Sequence, residues 1–113
     1  MHEMSLTESV VEIALEEMRK AGASRVTRIV LDVGGLSAVV PEAMEFCFAA
    51  VSSGTAAEGA ELKIERVAGA GWCLDCAKTV ALDERFGACP ECGGYKVQMT
   101  QGDEMKIREM EVV

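Results

Sequence analysis

Cys73-Leu74-Asp75-Cys76, then twelve residues, then Cys89-Pro90-Glu91-Cys92 is the feature that most constrains this chain. Each C-x-x-C pair makes a tight knuckle that aims two sulfurs at one point, and two pairs at this separation match a tetrahedral four-cysteine zinc site. The turn residues agree. Pro90 fixes φ inside the second knuckle, and Gly93-Gly94 offer positive φ behind it. Lys78, Arg85 and Lys96 lie near enough in sequence to favour thiolate over thiol. Two other readings compete. Disulfides belong to oxidising compartments, and a redox C-x-x-C sits once on a strand–helix–strand unit rather than twice around a loop. Cys73, Cys76, Cys89 and Cys92 are therefore expected to hold structural zinc, with a full ligand set and no open position for catalysis.

At 113 residues the chain is one domain, or one small domain carrying a module. Half its residues are hydrophobic, yet the aromatics amount to Phe46, Phe48, Trp72, Phe86 and Tyr95. The core must come from aliphatic side chains and methionine, and so short a chain gains from a metal staple. A net charge of −8 argues against nucleic acid as a partner. No basic stretch followed by an apolar run marks a signal peptide. The apolar run over residues 29–40 is broken by Asp32, Gly34 and Gly35, so no membrane span is expected. These features point to the cytoplasm, where reduced cysteines suit zinc.

Met1-His2-Glu3 is the second candidate site, and His2 is the only histidine of the chain. A histidine at position 2 can form a chelate denied to internal histidines: the α-amine, its own amide nitrogen and its imidazole close consecutive rings around one ion. The Glu3 amide nitrogen or another donor completes the square. A planar nitrogen-rich set selects Ni(II) or Cu(II) over Mg(II) or Ca(II). The competing reading is a disordered terminus in which one histidine happens to fall.

Ser5-Leu6-Thr7-Glu8 has the capping-box pattern, with Ser5 as N-cap. Leu6, Val10, Ile13, Ala14 and Met18 recur at helical spacing, and Gly22 stops that helix. The N-terminal motif would then precede the helix and lie outside every element. Residues 26–33 read as a β-branched strand ended by Gly34-Gly35. Pro41 opens a second helix whose face is Met44, Cys47, Phe48 and Val51, with Cys47 expected to be packed as a small apolar residue. Residues 52–59 look like a linker. Residues 62–65 alternate as a further strand. So do residues 105–108, although Met110 and Val112 fall out of phase and imply a bulge near Glu109. The strand–helix–strand crossover implies parallel pairing. The expected fold is α+β: a small mixed three-stranded sheet with two helices, plus an inserted four-cysteine zinc-ribbon module. Residues 1–70 with 100–113 form the first domain and residues 71–99 the ribbon.

Met1-His2-Glu3, then a helix, then C-x-x-C, twelve residues and C-x-x-C-G resembles the HypA/HybF family of hydrogenase maturation nickel chaperones. The likeness extends to Gly-Ala-Ser-Arg-Val over residues 22–26, to Phe46-Cys47-Phe48 and to Ala57-Glu58-Gly59. It implies Ni(II) as transferred cargo on His2, with the Met1 α-amine and Glu3 as additional donors. It places structural Zn(II) on Cys73, Cys76, Cys89 and Cys92. It further implies delivery to the large subunit of a [NiFe] hydrogenase with a HypB-type GTPase as partner, and leaves a homodimer open. The competing class is a zinc-ribbon interaction adaptor with no nickel role; Asp75, Asp83, Glu84 and Glu91 outnumber the ribbon's three cations, against a nucleic-acid version of it. An enzyme is not expected, because no histidine is left for acid–base work and no nucleophile–base pair or phosphate-binding loop is visible.

Overall fold

The computed structural model describes the backbone of residues 2–113 and the side chains of residues 3–113. Helix α1 (His2–Lys20) leads into β1 (Val26–Gly34), helix α2 (Pro41–Ser52) and β2 (Glu61–Val67). The short strands β3 (Ala70–Cys73), β4 (Lys78–Ala81) and β5 (Val97–Gln101) follow, and β6 (Met105–Val112) closes the chain. The strands make two three-stranded sheets, ordered β2-β1-β6 and β4-β3-β5. The expected order of helix, strand, helix, strand, ribbon, strand is the order observed.

Helix α1 departs from its expected start. It begins at His2, so Ser5 lies inside the helix and is no N-cap; its carbonyl accepts a bond from Ser9 Oγ at 3.2 Å. The buried stripe is Thr7, Val10, Val11, Ala14 and Met18, while Ile13 is exposed. Thr7 can be buried because its hydroxyl donates to the Glu3 carbonyl at 2.6 Å, which satisfies it within the helix. The helix ends as the sequence predicts. Gly22 adopts φ +70°, its N–H bonds the Arg19 carbonyl at 3.0 Å, and the Ala23 N–H reaches back to Met18 at 3.1 Å. That is a Schellman stop, which needs a residue without a Cβ penalty at Gly22.

β1 is the central strand of the first sheet and is buried continuously from Ile29 to Gly34. Its ends fix the sense of its neighbours. Val113 N–H donates to Arg25 at one end and Gly34 N–H to Glu104 at the other, so β6 runs antiparallel to it. Arg28 pairs with Glu61 at 3.3 Å and Gly35 N–H donates to Val67, so β2 runs parallel, as a crossover through α2 requires. Along β6 the burial alternates until Arg108 and Glu109, both exposed, after which Met110 and Val112 turn inward. The phase slip read from the sequence lies there.

Pro41 occupies the first turn of α2, and Met44, Phe48 and Ser52 form its buried face. Cys47 is half-buried rather than packed away. Residues 53–59 are not a loose linker. Successive turns bond Thr55 to Ser52, Glu58 to Thr55 and Ala60 to Ala57, with Ala57 fully buried and Gly54 and Gly59 at positive φ.

The chain divides into two compact units. One comprises Met1–Leu31, Val39–Glu65 and Lys106–Val113; the other comprises Asp32–Ala38 and Arg66–Met105. Within the second, Gly34 and Gly35 look alike in sequence but face different surroundings. A Cβ on Gly34 would run into the backbone carbonyl of Gly102, whereas one on Gly35 would meet only the Val67 carbonyl, at 3.4 Å. Gly34→Ala should therefore cost about 1–3 kcal/mol, as overpacking against backbone does. Gly35→Ala should be far milder. Paired thermal melts that show equal losses at the two positions would contradict this account.

Candidate metal centre

β3 is the spine of the second sheet, and it delivers Cys73 at its end. It pairs antiparallel with β4, Cys73 opposite Lys78, and with β5, Cys73 opposite Val97. The first knuckle turns directly out of this strand. Cys76 N–H points at Cys73 Sγ (3.4 Å), and Ala77 N–H closes the turn on the Cys73 carbonyl at 2.8 Å. The second knuckle repeats the design. Glu91 and Cys92 N–H groups point at Cys89 Sγ at 3.4 and 3.5 Å, and Gly93 N–H bonds the Cys89 carbonyl at 2.8 Å. The residue after each C-x-x-C is left-handed, with φ +54° at Ala77 and +73° at Gly93. Gly93 fills the turn role expected of it. Gly94 does not take positive φ; it leaves room instead, since a Cβ there would touch Asp75 Oδ2 and Cys92 Sγ at 3.4 and 3.5 Å.

The four sulfurs converge, all lying within 4.8 Å of one another. Cys73 Sγ is 3.7 Å from Cys92 Sγ, and Cys76 Sγ is 3.9 Å from Cys89 Sγ. A tetrahedron of thiolates about 2.3 Å from its centre has edges of about 3.8 Å, so the cluster fits zinc. The separations are too long for disulfides, and all four cysteines are free. Cys73 and Cys89 are buried, Cys76 is half-buried and Cys92 is exposed.

Crowded sulfurs distort one another's acidity. The Cys76 thiol is pushed up to about 12, chiefly by its contact with the Cys92 side chain and then with Cys73. Cys89 is lowered to about 7, first by the backbone N–H of Cys92 and further by that of Glu91, against the opposing effect of burial. The cations predicted to favour thiolates are mostly spoken for. Lys78 bonds Glu91 at 2.6 Å, Lys96 lies 4.0 Å from Asp75, and Arg85 pairs with Asp103 at 3.6 Å. Lys78 is held above its ordinary range first by Glu91, with Cys76 and Cys89 lesser contributors. Backbone N–H groups, not lysines, are the principal donors to these sulfurs. No sequence pattern of charges could have revealed that.

The other candidate residues lie in the first unit. His2 and Glu3 are the first two residues of α1, inside the helix rather than ahead of it, and Met1 lies outside the described residues. One Glu3 carboxylate oxygen accepts the Val40 N–H at 3.2 Å, which ties the first turn of α1 to the residue before α2. That contact has no sequence signal, because the partners are thirty-seven positions apart.

A small α+β domain joined to a four-thiol ribbon is thus the class that fold and site define. The profile described as hydrogenase/urease nickel incorporation, metallochaperone, hypA matches residues 1–112. A hydrogenase maturation factor HypA of Rhizobium leguminosarum bv. viciae is 64% identical over 113 residues, covering the whole of both chains. Another, from Dechloromonas aromatica, is 52% identical over 112 residues, 99% of each chain. A solution structure of a HypA protein superposes with a TM-score of 0.74 at 28% identity, covering 100% of this chain and 97% of its own. That of the Ni metallochaperone HypA from Helicobacter pylori shares the fold, with a TM-score of 0.71 at 24% identity over 98% of this chain and 97% of its own. The chain belongs to the HypA family of nickel-incorporation metallochaperones for hydrogenase maturation.

Cys76 and Cys92 both hold their protons more tightly than an ordinary thiol. Zinc binding to the metal-free protein near pH 7 should therefore release about two or more protons. The sign follows: protons compete for the sulfurs, so zinc affinity falls as pH falls. Calorimetry in buffers of different ionisation enthalpy reads the number directly, and a release near zero would contradict the thiol cluster described here.

Proposed function

We propose that the chain captures Ni(II) at Met1-His2-Glu3 and hands it to the large subunit of a [NiFe] hydrogenase, working with a HypB-type GTPase in the cytoplasm. The observation that carries this reading is the family match over residues 1–112 together with Met-His-Glu at the first three positions. No helix among the described residues is long and apolar enough to cross a membrane, which is compatible with it.

The local chemistry supports a terminal chelate. The first four N–H groups of an α-helix have no intrahelical acceptor, so the amides of His2 and Glu3 can exchange a proton for a metal without breaking a helical bond. Glu3 has a carboxylate oxygen engaged at Val40, which favours its backbone nitrogen as the donor. The donor set is then the Met1 α-amine, the His2 amide and imidazole, and Glu3. The helix dipole opposes a cation at this end, so the chelate must supply the affinity against the local field. A planar nitrogen set also leaves both axial faces open to an incoming ligand, which suits transfer better than a closed cage.

Cys73, Cys76, Cys89 and Cys92 are assigned to structural Zn(II), which supplies a closed staple with no vacant coordination position. Residues 71–99 are read as the zinc ribbon, and residues 1–70 with 100–113 as the nickel-binding domain. No catalytic residue is assigned. The work of the protein is carriage of an ion.

His2→Ala should abolish tight Ni(II) binding with zinc and helix content unchanged. One extra residue before Met1 should weaken binding too, because the donor amine becomes an amide. Imidazole near about 6.5 and α-amine near about 7.7–8.0 must both be deprotonated, so affinity should drop between about pH 8 and about pH 6. Titration calorimetry on untagged and extended proteins is the check. Equal affinity in the two would sink the terminal chelate.

A further inference from the structure

The second unit carries a feature that neither metal explains. Between β5 and the turn that follows β4 lies a cavity of about 230 Å³, lined chiefly by Leu82, Arg85, Phe86, Val97 and Met99. Phe86 stands at its lip, 91% exposed. It occupies the third position of a turn closed by Gly87 N–H on the Glu84 carbonyl at 3.2 Å, and its φ is +59°. Bulky side chains rarely adopt that conformation, and glycine is its ordinary occupant. A solvent-facing phenylalanine in a glycine's place is unfavourable for the isolated fold twice over, in exposed apolar surface and in backbone conformation.

Two neighbouring observations say what would cover it. β5 ends its sheet, so among the described residues one side of its backbone has no strand beside it. Its sequence, Val-Gln-Met-Thr-Gln, contains none of the charges or prolines with which edge strands normally repel an added strand. Charge sets the sign of the visitor. Arg85 is already committed, donating from Nε to the Leu36 carbonyl at 3.2 Å and pairing with Asp103 at 3.6 Å. Asp83 and Glu84, on the same turn, are exposed and make no ion pair among the described residues. Phe86 and the apolar pocket are thus flanked in the chain by two exposed carboxylates that make no ion pair among the described residues.

We infer that this trough is a docking site for an extended, basic segment of a partner protein. The segment adds alongside β5 by main-chain hydrogen bonds, inserts one large apolar side chain beside Phe86, and sets a lysine or arginine against Asp83 and Glu84. Strand addition supplies affinity through the backbone, and alternate side chains supply specificity. Phe86 is the aromatic anchor of the kind that dominates interface energetics. Because the site lies in the ribbon, it does not depend on the nickel chemistry of the terminus.

The test uses zinc-loaded, isotopically labelled full-length protein and two capped peptides, one of alternating leucine and lysine, the other of alternating leucine and glutamate. The basic peptide should shift the amide resonances of residues 82–87 and 97–101. Phe86→Gly should weaken it at least about tenfold, and Met99→Arg should do the same, while the melting temperature of Phe86→Gly stays at or above that of the parent. The acidic peptide should not bind. The inference is overturned if shifts map elsewhere, if no binding is seen, if Phe86→Gly binds like the parent, or if both peptides bind equally. Concentration-dependent shifts at the same residues without peptide would also overturn it, because the occupant would then be a second copy of this chain.

Discussion

Four sulfurs held within 4.8 Å of one another are the arrangement on which the second unit turns. Thiolates at that spacing repel, and thiols gain little from one another, so a cation is what makes the convergence favourable. The local packing adds to this dependence. The apolar cluster beneath the ribbon consists of Cys73, Val80 and Cys89, with Cys76 and Val97 packed against it. Three of the four cysteines therefore also belong to that apolar cluster. Val33, Leu36 and Leu82 add buried apolar surface elsewhere in this unit, but with three cysteines inside the cluster, metal occupancy and packing of the ribbon are coupled.

The first unit rests on a different principle. Its core is apolar, built from Val10, Val11, Ala14 and Met18 of α1, Val26, Ile29, Val30 and Leu31 of β1, and Met44 and Phe48 of α2. These faces bury one another without a metal. The consequence for the proposed nickel terminus is that its platform packs without a metal, while His2 and Glu3 sit at the helix end whose N–H groups are unsatisfied by geometry. Glu3 and Val40 add a tie between the first turn of α1 and the start of α2. In the proposed reading, cargo binding requires adjustment of one terminal turn and nothing deeper.

Much of this was legible in the sequence because the signals were strong and local. The doubled C-x-x-C, the Gly22 stop, Pro41 at the head of α2 and the phase slip near Glu109 each have a direct physical meaning, and each is found where expected. What misled was the start of α1. Ser5 to Glu8 has the composition of a capping box, but the helix gains an extra turn toward His2, where Thr7 is buried on the Glu3 carbonyl and Glu3 is anchored at Val40. Tertiary contact overrode a local preference. Charges near the cysteines misled for a similar reason: lysines close in sequence were met in space by Glu91 and Asp75. The trough beside β5 had no signature at all, since it depends on which residues a turn brings opposite a strand.

In the proposed reading two metals fall to two kinds of donor, nitrogen at the terminus and sulfur in the ribbon. X-ray absorption at the nickel and zinc edges of one sample, loaded with both ions at neutral pH, tests that division most directly. The expected result is zinc bound by four sulfurs, unchanged by nickel, and a planar nickel centre with nitrogen ligands and no sulfur. Sulfur in the nickel shell, or zinc displaced from the cysteines on nickel loading, would contradict it.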